Sequence, residues 1–255
     1  MKLTLIGNGN MAQALLRGLV KDYEIEVISR DEKKLSQIKQ EYPEISVKRL
    51  NENNENIEGK NILFCVKPYA LESVSLRLSG KANTIYSVLA GTKIDTLKKH
   101  LSANHYIRTM PNIAASYNAS MTSITGDKEV KNDAIEIFSK IGDTLWVNTE
   151  NELDIATAIA GSGPAYLAII AEALADGGVK AGLERSHCMK LVAGLFTSAA
   201  YLLKHNHPAL IKDQVTSPGG TTAAGLAALE ENKVRDAMIK AVEASYQKAY
   251  ELGQK

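Results

Sequence analysis

Cysteine is scarce: the 255 residues hold two, Cys65 and Cys188. Two thiols cannot build the disulfide framework of a small secreted domain, nor a four-thiolate zinc site. They fit a reducing, cytoplasmic setting as ordinary buried thiols. An excess of one charge is missing too. The 30 basic and 29 acidic side chains leave a formal net charge of +1. That balance recommends neither nucleic acid nor an anionic membrane as a partner. His205 and His207 lie two apart, but no third ligand stands near them in sequence, so no metal site is read there. Long apolar runs are also lacking. The opening run, residues 3–6, meets Gly7 at once and is too short for a secretory h-region. The uncharged run 155–171 carries Thr157, Gly161, Ser162, Gly163 and Pro164 between Asp154 and Glu172. A membrane span needs ~20 mostly apolar residues, so this run reads as a buried helix of a soluble protein.

Alanine is what the chain has in excess, and unevenly: 10 in residues 1–150 and 21 in residues 151–255. The first part alternates strand and helix patterns. Residues 2–6, 24–29, 47–50, 61–66, 84–89, 105–110, 123–125 and 144–147 read as strands. Residues 10–21, 31–42, 71–78, 94–101 and 132–141 read as helices between them. That alternation predicts βαβ units and a parallel sheet. After residue 150 the strands stop. Helices are expected over 151–181, 185–204, 208–214, 221–230 and 232–253. The chain is therefore read as α/β, with a sheet domain over 1–150 and an all-helical domain over 151–255.

The first strand runs into Gly7-Asn8-Gly9-Asn10-Met11-Ala12, a G-x-G-x-x-A turn that opens the first helix. In that setting it is a dinucleotide fingerprint. Gly7 permits the turn, Gly9 lets the backbone approach a pyrophosphate, and Ala12 keeps helix and sheet close. The helix N-terminus offers unpaired N–H groups to the phosphates. The second strand ends in Ser29-Arg30 rather than an acid. Arg30 is suited to a 2′-phosphate, which favours NADP, although Asp31 could turn back to a ribose hydroxyl.

A second glycine loop, Val215-Thr216-Ser217-Pro218-Gly219-Gly220-Thr221-Thr222, precedes a helix pattern. It brings Ser/Thr hydroxyls and free N–H groups to a helix start, a geometry that holds a small carboxylate or phosphate. A plain N-cap at Thr221 would use one hydroxyl of the four. Gly161-Ser162-Gly163-Pro164 predicts a break in an otherwise helical stretch.

Taken in order and spacing, these segments resemble pyrroline-5-carboxylate reductase across essentially the whole chain. The resemblance rests on Gly7–Ala12, Val66-Lys67-Pro68, Ala90-Gly91, the run RTMPN at 108–112, GSGPAY at 161–166 and VTSPGGTTAAGL at 215–226. It implies a Rossmann-type domain followed by a helical domain that dimerises, with a higher oligomer of dimers left open. It implies reduction of the C=N bond of 1-pyrroline-5-carboxylate to L-proline with NADPH, or NADH. By the resemblance, Gly7, Asn8, Gly9, Asn10 and Met11 hold the pyrophosphate, and Ser29, Arg30 and Asn53 contact the adenosine end. Val66, Lys67, Pro68, Ala90 and Gly91 line the nicotinamide side. Ser217, Gly220, Thr221 and Thr222 hold the substrate carboxylate and ring. Hydride adds most easily to a protonated imine, so a donor near nitrogen is expected, and Thr222 is the candidate for that hydrogen bond. The sequence departs from the family's usual pattern at Ile113-Ala114 and at Gly177. A β-hydroxyacid dehydrogenase would carry a Lys on its first interdomain helix, and residues 161–172 contain none. A non-catalytic NADP sensor would have no use for the 216–222 loop.

Overall fold

The computed structural model describes residues 1–51 and 54–253, without the side chain of Leu252. Asn53 lies outside the described residues. By internal contacts the chain forms two units, Met1–Ser162 with Ser245–Lys255, and Gly163–Ala244.

The first unit runs β1 (Lys2–Ile6), α1 (Asn10–Leu19), β2 (Glu24–Ser29), α2 (Glu32–Glu41), β3 (Ser46–Arg49), β4 (Glu55–Asn56) and β5 (Asn61–Phe64). It continues with α3 (Leu71–Ser75), β6 (Leu78–Ser79), β7 (Ala82–Ser87), α4 (Ile94–His100), β8 (Ala103–Met110), β9 (Ser120–Gly126), α5 (Lys131–Ser139), β10 (Gly142–Trp146) and α6 (Glu150–Ala156). Among the described residues, eight strands form one sheet in the order β10-β9-β8-β7-β5-β1-β2-β3. The chain steps from β1 to β2 and β3 on one side, then crosses to β5 on the other. Ligands of open α/β sheets bind where the order reverses, outside the carboxyl ends of such strands.

Helices cover both faces, which explains why the β5 run is apolar at successive positions. Leu3, Leu5 and Leu63 pack with Leu15, Leu16 and Leu19 of α1 on one face. Ile6, Ile62 and Phe64 pack with Leu71 and Val74 of α3 on the other. Full burial of such a side chain is worth about 1.5–3 kcal/mol. Asp31 starts α2 by accepting from the Lys34 N–H at 3.0 Å.

One expectation fails in detail. The sheet is parallel from β3 to β8, but β9 runs antiparallel to β8 and β10 follows β9 in parallel, so both of these strands run against the rest. The link from Met110 to Ser120 is a short 3-10 turn, Ile113–Tyr117, ending at Asn118 with φ 54°. A parallel return needs a crossover of a dozen or more residues, so a link this short turns the chain back on itself.

The second unit holds α7 (Gly163–Lys180), α8 (Arg185–His205), α9 (Pro208–Gln214), α10 (Thr221–Glu231) and most of α11 (Val234–Leu252). Its own core is small: Ala175, Cys188 and Val192, flanked by Ala171, Val179 and Phe196. A Cβ on Gly178 would lie 2.7 Å from Cys188 Sγ, so glycine is what lets α7 and α8 approach there.

The run 155–171 is helical as expected, but it is not buried. A π turn, Thr157–Gly161, interrupts it, with the Ser162 N–H donating to Thr157 O at 3.0 Å. Pro164 falls in the first turn of α7, where its missing N–H costs no helical bond. Leu167 and Ile169 are 48% and 67% exposed. By length and composition alone, Glu150–Lys180 is long and apolar enough to cross a membrane. The exposure has a simple cause: α7 carries more apolar surface than the small core of its own unit can cover.

Candidate active site

The turn after β1 is built by close approach. Gly7 has φ 111°, and a Cβ there would lie 2.7 Å from Cys65 O, so only glycine fits. The Gly7 N–H donates to Ile28 O at 2.9 Å, extending the sheet into the turn. Asn8 is buried, and its Nδ2 donates to Asp31 O at 3.3 Å, tying this turn to the start of α2. Gly9 is the N-cap of α1 and supplies no side-chain cap. The first N–H groups of α1 are left for a ligand, and a Cβ on Gly9 would meet nothing within 4 Å. An uncapped helix start beside a backbone left bare by glycine fits a pyrophosphate.

A cavity of about 160 Å³ opens there. Gly7, Asn8, Gly9, Ser29, Arg30, Val66 and Lys67 all line it. Asn10 and Met11 open α1 but face a neighbouring cavity with Arg17 and Ile113. Pro68 starts the 3-10 turn after Lys67 and is exposed. Cys65 lines the cavity as well, and burial pushes its thiol up to about 12. It stays neutral and supplies no nucleophile near neutral pH.

The Arg30 side of this cavity is more basic than the sequence motif alone indicates. A second cavity of about 270 Å³ is lined by Arg30, Arg49, Leu50, Asn51 and Arg77. Arg30 and Leu50 line the first cavity too, so the two are contiguous. The parallel register sets Arg49 beside Ser29. Arg49 Nη1 also donates to Glu32 Oε1 at 2.8 Å. Neither Arg30 nor Arg77 has an acidic partner among the described residues. Three guanidinium groups against one carboxylate suit a phosphate monoester. Asp31, the alternative ribose ligand, is engaged in capping α2. Sequence reasoning missed Arg49 and Arg77 because no local motif marks them: the strand register brings in Arg49, and Arg77 arrives from the turn between α3 and β6.

Ala90 and Gly91 sit on the loop after β7, with Gly91 at φ 67°. Beneath that loop Arg108 is 1% exposed. Its Nη2 donates to Asp154 Oδ1, and its Nη1 to Glu150 Oε1, each at 2.9 Å.

In the helical unit, the 216–222 loop keeps its predicted form. Gly219 has φ 69°, and a Cβ on Gly220 would lie 2.3 Å from Ser217 Oγ. Gly220, not Thr221, is the N-cap of α10, and no side chain caps that helix. Thr216 Oγ1 is spent on Lys212 O at 2.6 Å. The hydroxyls of Ser217, Thr221 and Thr222 have no hydrogen-bond partner among the described residues. The segment therefore presents uncommitted N–H and O–H donors around one helix start.

Comparison with known proteins agrees with both halves. Residues 150–252 match the family model described as pyrroline-5-carboxylate reductase dimerisation, and residues 2–91 match that of NADP oxidoreductase, coenzyme F420-dependent. A pyrroline-5-carboxylate reductase of Synechocystis sp. is 40% identical over 266 residues, spanning 100% of this chain and 99% of that one. A crystal structure of the Streptococcus pyogenes reductase superposes with a TM-score of 0.86 at 28% identity, covering 98% of each chain. The Plasmodium falciparum reductase, solved with NADP bound, gives 0.82 at 28% identity, covering 99% of this chain and 100% of that one.

Proposed function

The chain belongs to the pyrroline-5-carboxylate reductase family, and from that membership we propose how its residues reduce the C=N bond of 1-pyrroline-5-carboxylate to L-proline, the last step of proline biosynthesis. It is an NADP-dependent oxidoreductase acting on a CH–NH group. The observation that carries the reading is the pair of uncapped helix starts. One, at Gly9, adjoins the glycine turn and the arginine pocket. The other, at Gly220, is ringed by free hydroxyls.

NADPH supplies the hydride, so the protein needs no nucleophile. What this chain contributes is placement and a polar environment. The N–H groups at the start of α1 donate to the pyrophosphate, and Gly9 leaves room for it. Ser29 and Arg30 receive the adenosine ribose and its 2′-phosphate. Val66, Lys67, Ala90 and Gly91 bound the nicotinamide side. The N–H groups at the start of α10, with Ser217 and Thr221, donate to the substrate carboxylate. Thr222 donates to the imine nitrogen, orienting and polarising it. A threonine hydroxyl is too weak an acid to give up its own proton near neutral pH, so Thr222 orients and polarises the imine rather than protonating it.

A dimerisation domain is present, and the sparse core of the helical unit supports a homodimer whose Ala-rich helices complete each other. We assign residues 1–150 to dinucleotide binding and 151–255 to substrate binding and dimerisation, in a cytoplasmic enzyme. The purified protein is mixed with NADPH and 1-pyrroline-5-carboxylate, and near-UV cofactor absorbance is followed beside proline formation. Equimolar loss and gain are expected, slower with NADH. Turnover of hydroxyacids instead, or tight NADPH binding without turnover, would reject the assignment.

A further inference from the structure

The loop after β7 begins α4 without a cap of its own: Lys93 is the N-cap residue and its side chain makes no capping bond. The cap comes from far along the chain. The Ile94 N–H donates to Glu150 Oε1 at 2.9 Å, across 56 residues. The same oxygen accepts from Arg108 Nη1 at 2.9 Å. Arg108 is rooted in β8, a strand of the central sheet, and is 1% exposed. One carboxylate oxygen thus fastens the Gly91 loop to the sheet through a buried guanidinium. The outer side of the loop is closed by the end of α11. There Lys93 Nζ lies 5.8 Å from the centre of the Tyr250 ring. A Cβ on Gly253 would lie 3.2 Å from Gly91 O.

Charge balance tells what Glu150 is for. Asp154, whose side chain is 5% exposed, already pairs with Arg108 Nη2 and neutralises it. A second negative charge is not needed to keep the guanidinium buried. A second acceptor at the right place is needed to hold Ile94. We propose that Glu150 is a positioning residue: it fixes the Ala90–Gly91 loop through its shared bond to Ile94 and Arg108, and so sets the nicotinamide side of the site.

This inference rests on the assignment of Ala90 and Gly91 to the nicotinamide side. It separates charge from acceptor geometry, and that makes it testable with three variants. Glu150→Gln keeps an acceptor oxygen and loses the charge. Glu150→Asp keeps the charge but is one methylene short. Glu150→Ala loses both. Hydrogen exchange of the cofactor-free protein is measured over residues 88–97, beside kcat and the NADPH dissociation constant from cofactor fluorescence.

Glu150→Ala and Glu150→Asp are expected to lose at least tenfold protection at Ile94 and at least tenfold in kcat. Their NADPH dissociation constants should move less than threefold, since the pyrophosphate and adenosine contacts are intact. Glu150→Gln is expected to stay within threefold of the wild type in both protection and kcat. Unchanged exchange in Glu150→Asp, or equal loss of kcat in the Gln and Asp variants, would overturn the proposal. If Glu150→Ala does not fold, the Gln and Asp pair decides alone. Failure of the wild type to reduce the imine would overturn the underlying assignment instead, while the exchange result would still report on the cap.

Discussion

A Cβ on Gly7 would lie 2.7 Å from the carbonyl oxygen of Cys65, while one on Gly9 would meet nothing within 4 Å. The two glycines of one turn therefore do different work. Gly7→Ala forces a side chain into a φ of 111° and against a backbone oxygen. It should cost about 1–3 kcal/mol and lower the melting temperature by roughly 2–10 °C. Gly9→Ala adopts its φ of −71° freely, so the melting temperature should hold. Its methyl group occupies the approach to the pyrophosphate, and the NADPH dissociation constant should rise at least tenfold. Thermal melts beside NADPH titrations separate the two.

The basic pocket around Arg30, Arg49 and Arg77 is expected to receive the 2′-phosphate and so to decide cofactor choice. Arg77 has no acidic partner among the described residues and lines the same cavity as Arg30 and Arg49. A charge-assisted hydrogen bond is worth about 1.5–3 kcal/mol. Arg77→Ala and Arg30→Ala should each raise KM for NADPH about tenfold. KM for NADH, which lacks the 2′-phosphate, should move less than twofold. Equal effects on both cofactors would take the phosphate out of this pocket.

The Thr222 hydroxyl, at the start of α10, has no hydrogen-bond partner among the described residues. Thr222→Ala should lower kcat/KM at least tenfold with the melting temperature unchanged. Thr222→Ser, which keeps the hydroxyl, should recover most of it. A near-wild-type alanine variant would remove Thr222 from the chemistry.

Two buried groups are expected to weaken the fold at high pH. Burial pushes Cys65 from 9.0 to about 12 and Tyr86 from 10.0 to about 12. Both keep their protons in the folded chain after the unfolded chain has released them. Stability present below pH 9 is therefore lost as pH rises from about 9 towards 12. Urea midpoints at pH 8, 9.5 and 10.5 should fall in that order. Cys65→Ala and Tyr86→Phe should each flatten the slope.

The helical unit is expected to have no stable monomer. Its buried core is three residues, and Leu191, Leu195 and Tyr201 on α8 are 63%, 54% and 68% exposed. A folded monomer in sedimentation at nanomolar concentration would contradict this. Replacing Leu191 and Leu195 by Glu should abolish the dimer.

Much of this fold was legible because its signals are local. The alternating run Glu24–Ser29 and the segment Pro208–Gln214, with proline at its first turn, occupy the expected positions. Asp31 marks the start of α2 as a capping residue should. The glycine turn was legible because strand, Gly-x-Gly and helix follow one another directly. What escaped depends on partners distant in sequence. The two-residue strands β4 and β6 have no period to read and exist only as a pair. Residues 71–78, expected as one helix, divide into α3 and β6 because Leu78 and Ser79 pair with Glu55 and Asn56. Arg49 joins the basic cavity beside Arg30 through its register with Ser29, and Glu150 caps a helix that starts 56 residues earlier. The helix over 155–171 reads as buried because it is uncharged and too short for a span, and neither feature says which chain does the burying.

Hydride delivery from NADPH to a cyclic imine leaves its mark in the product, and isotope transfer reads it. The enzyme is given 1-pyrroline-5-carboxylate and NADPH carrying deuterium at the transferred C4 position. One deuterium per proline is expected, on the ring carbon next to nitrogen and remote from the carboxylate. Proline without deuterium, or no proline while the cofactor stays bound and reduced, would contradict it.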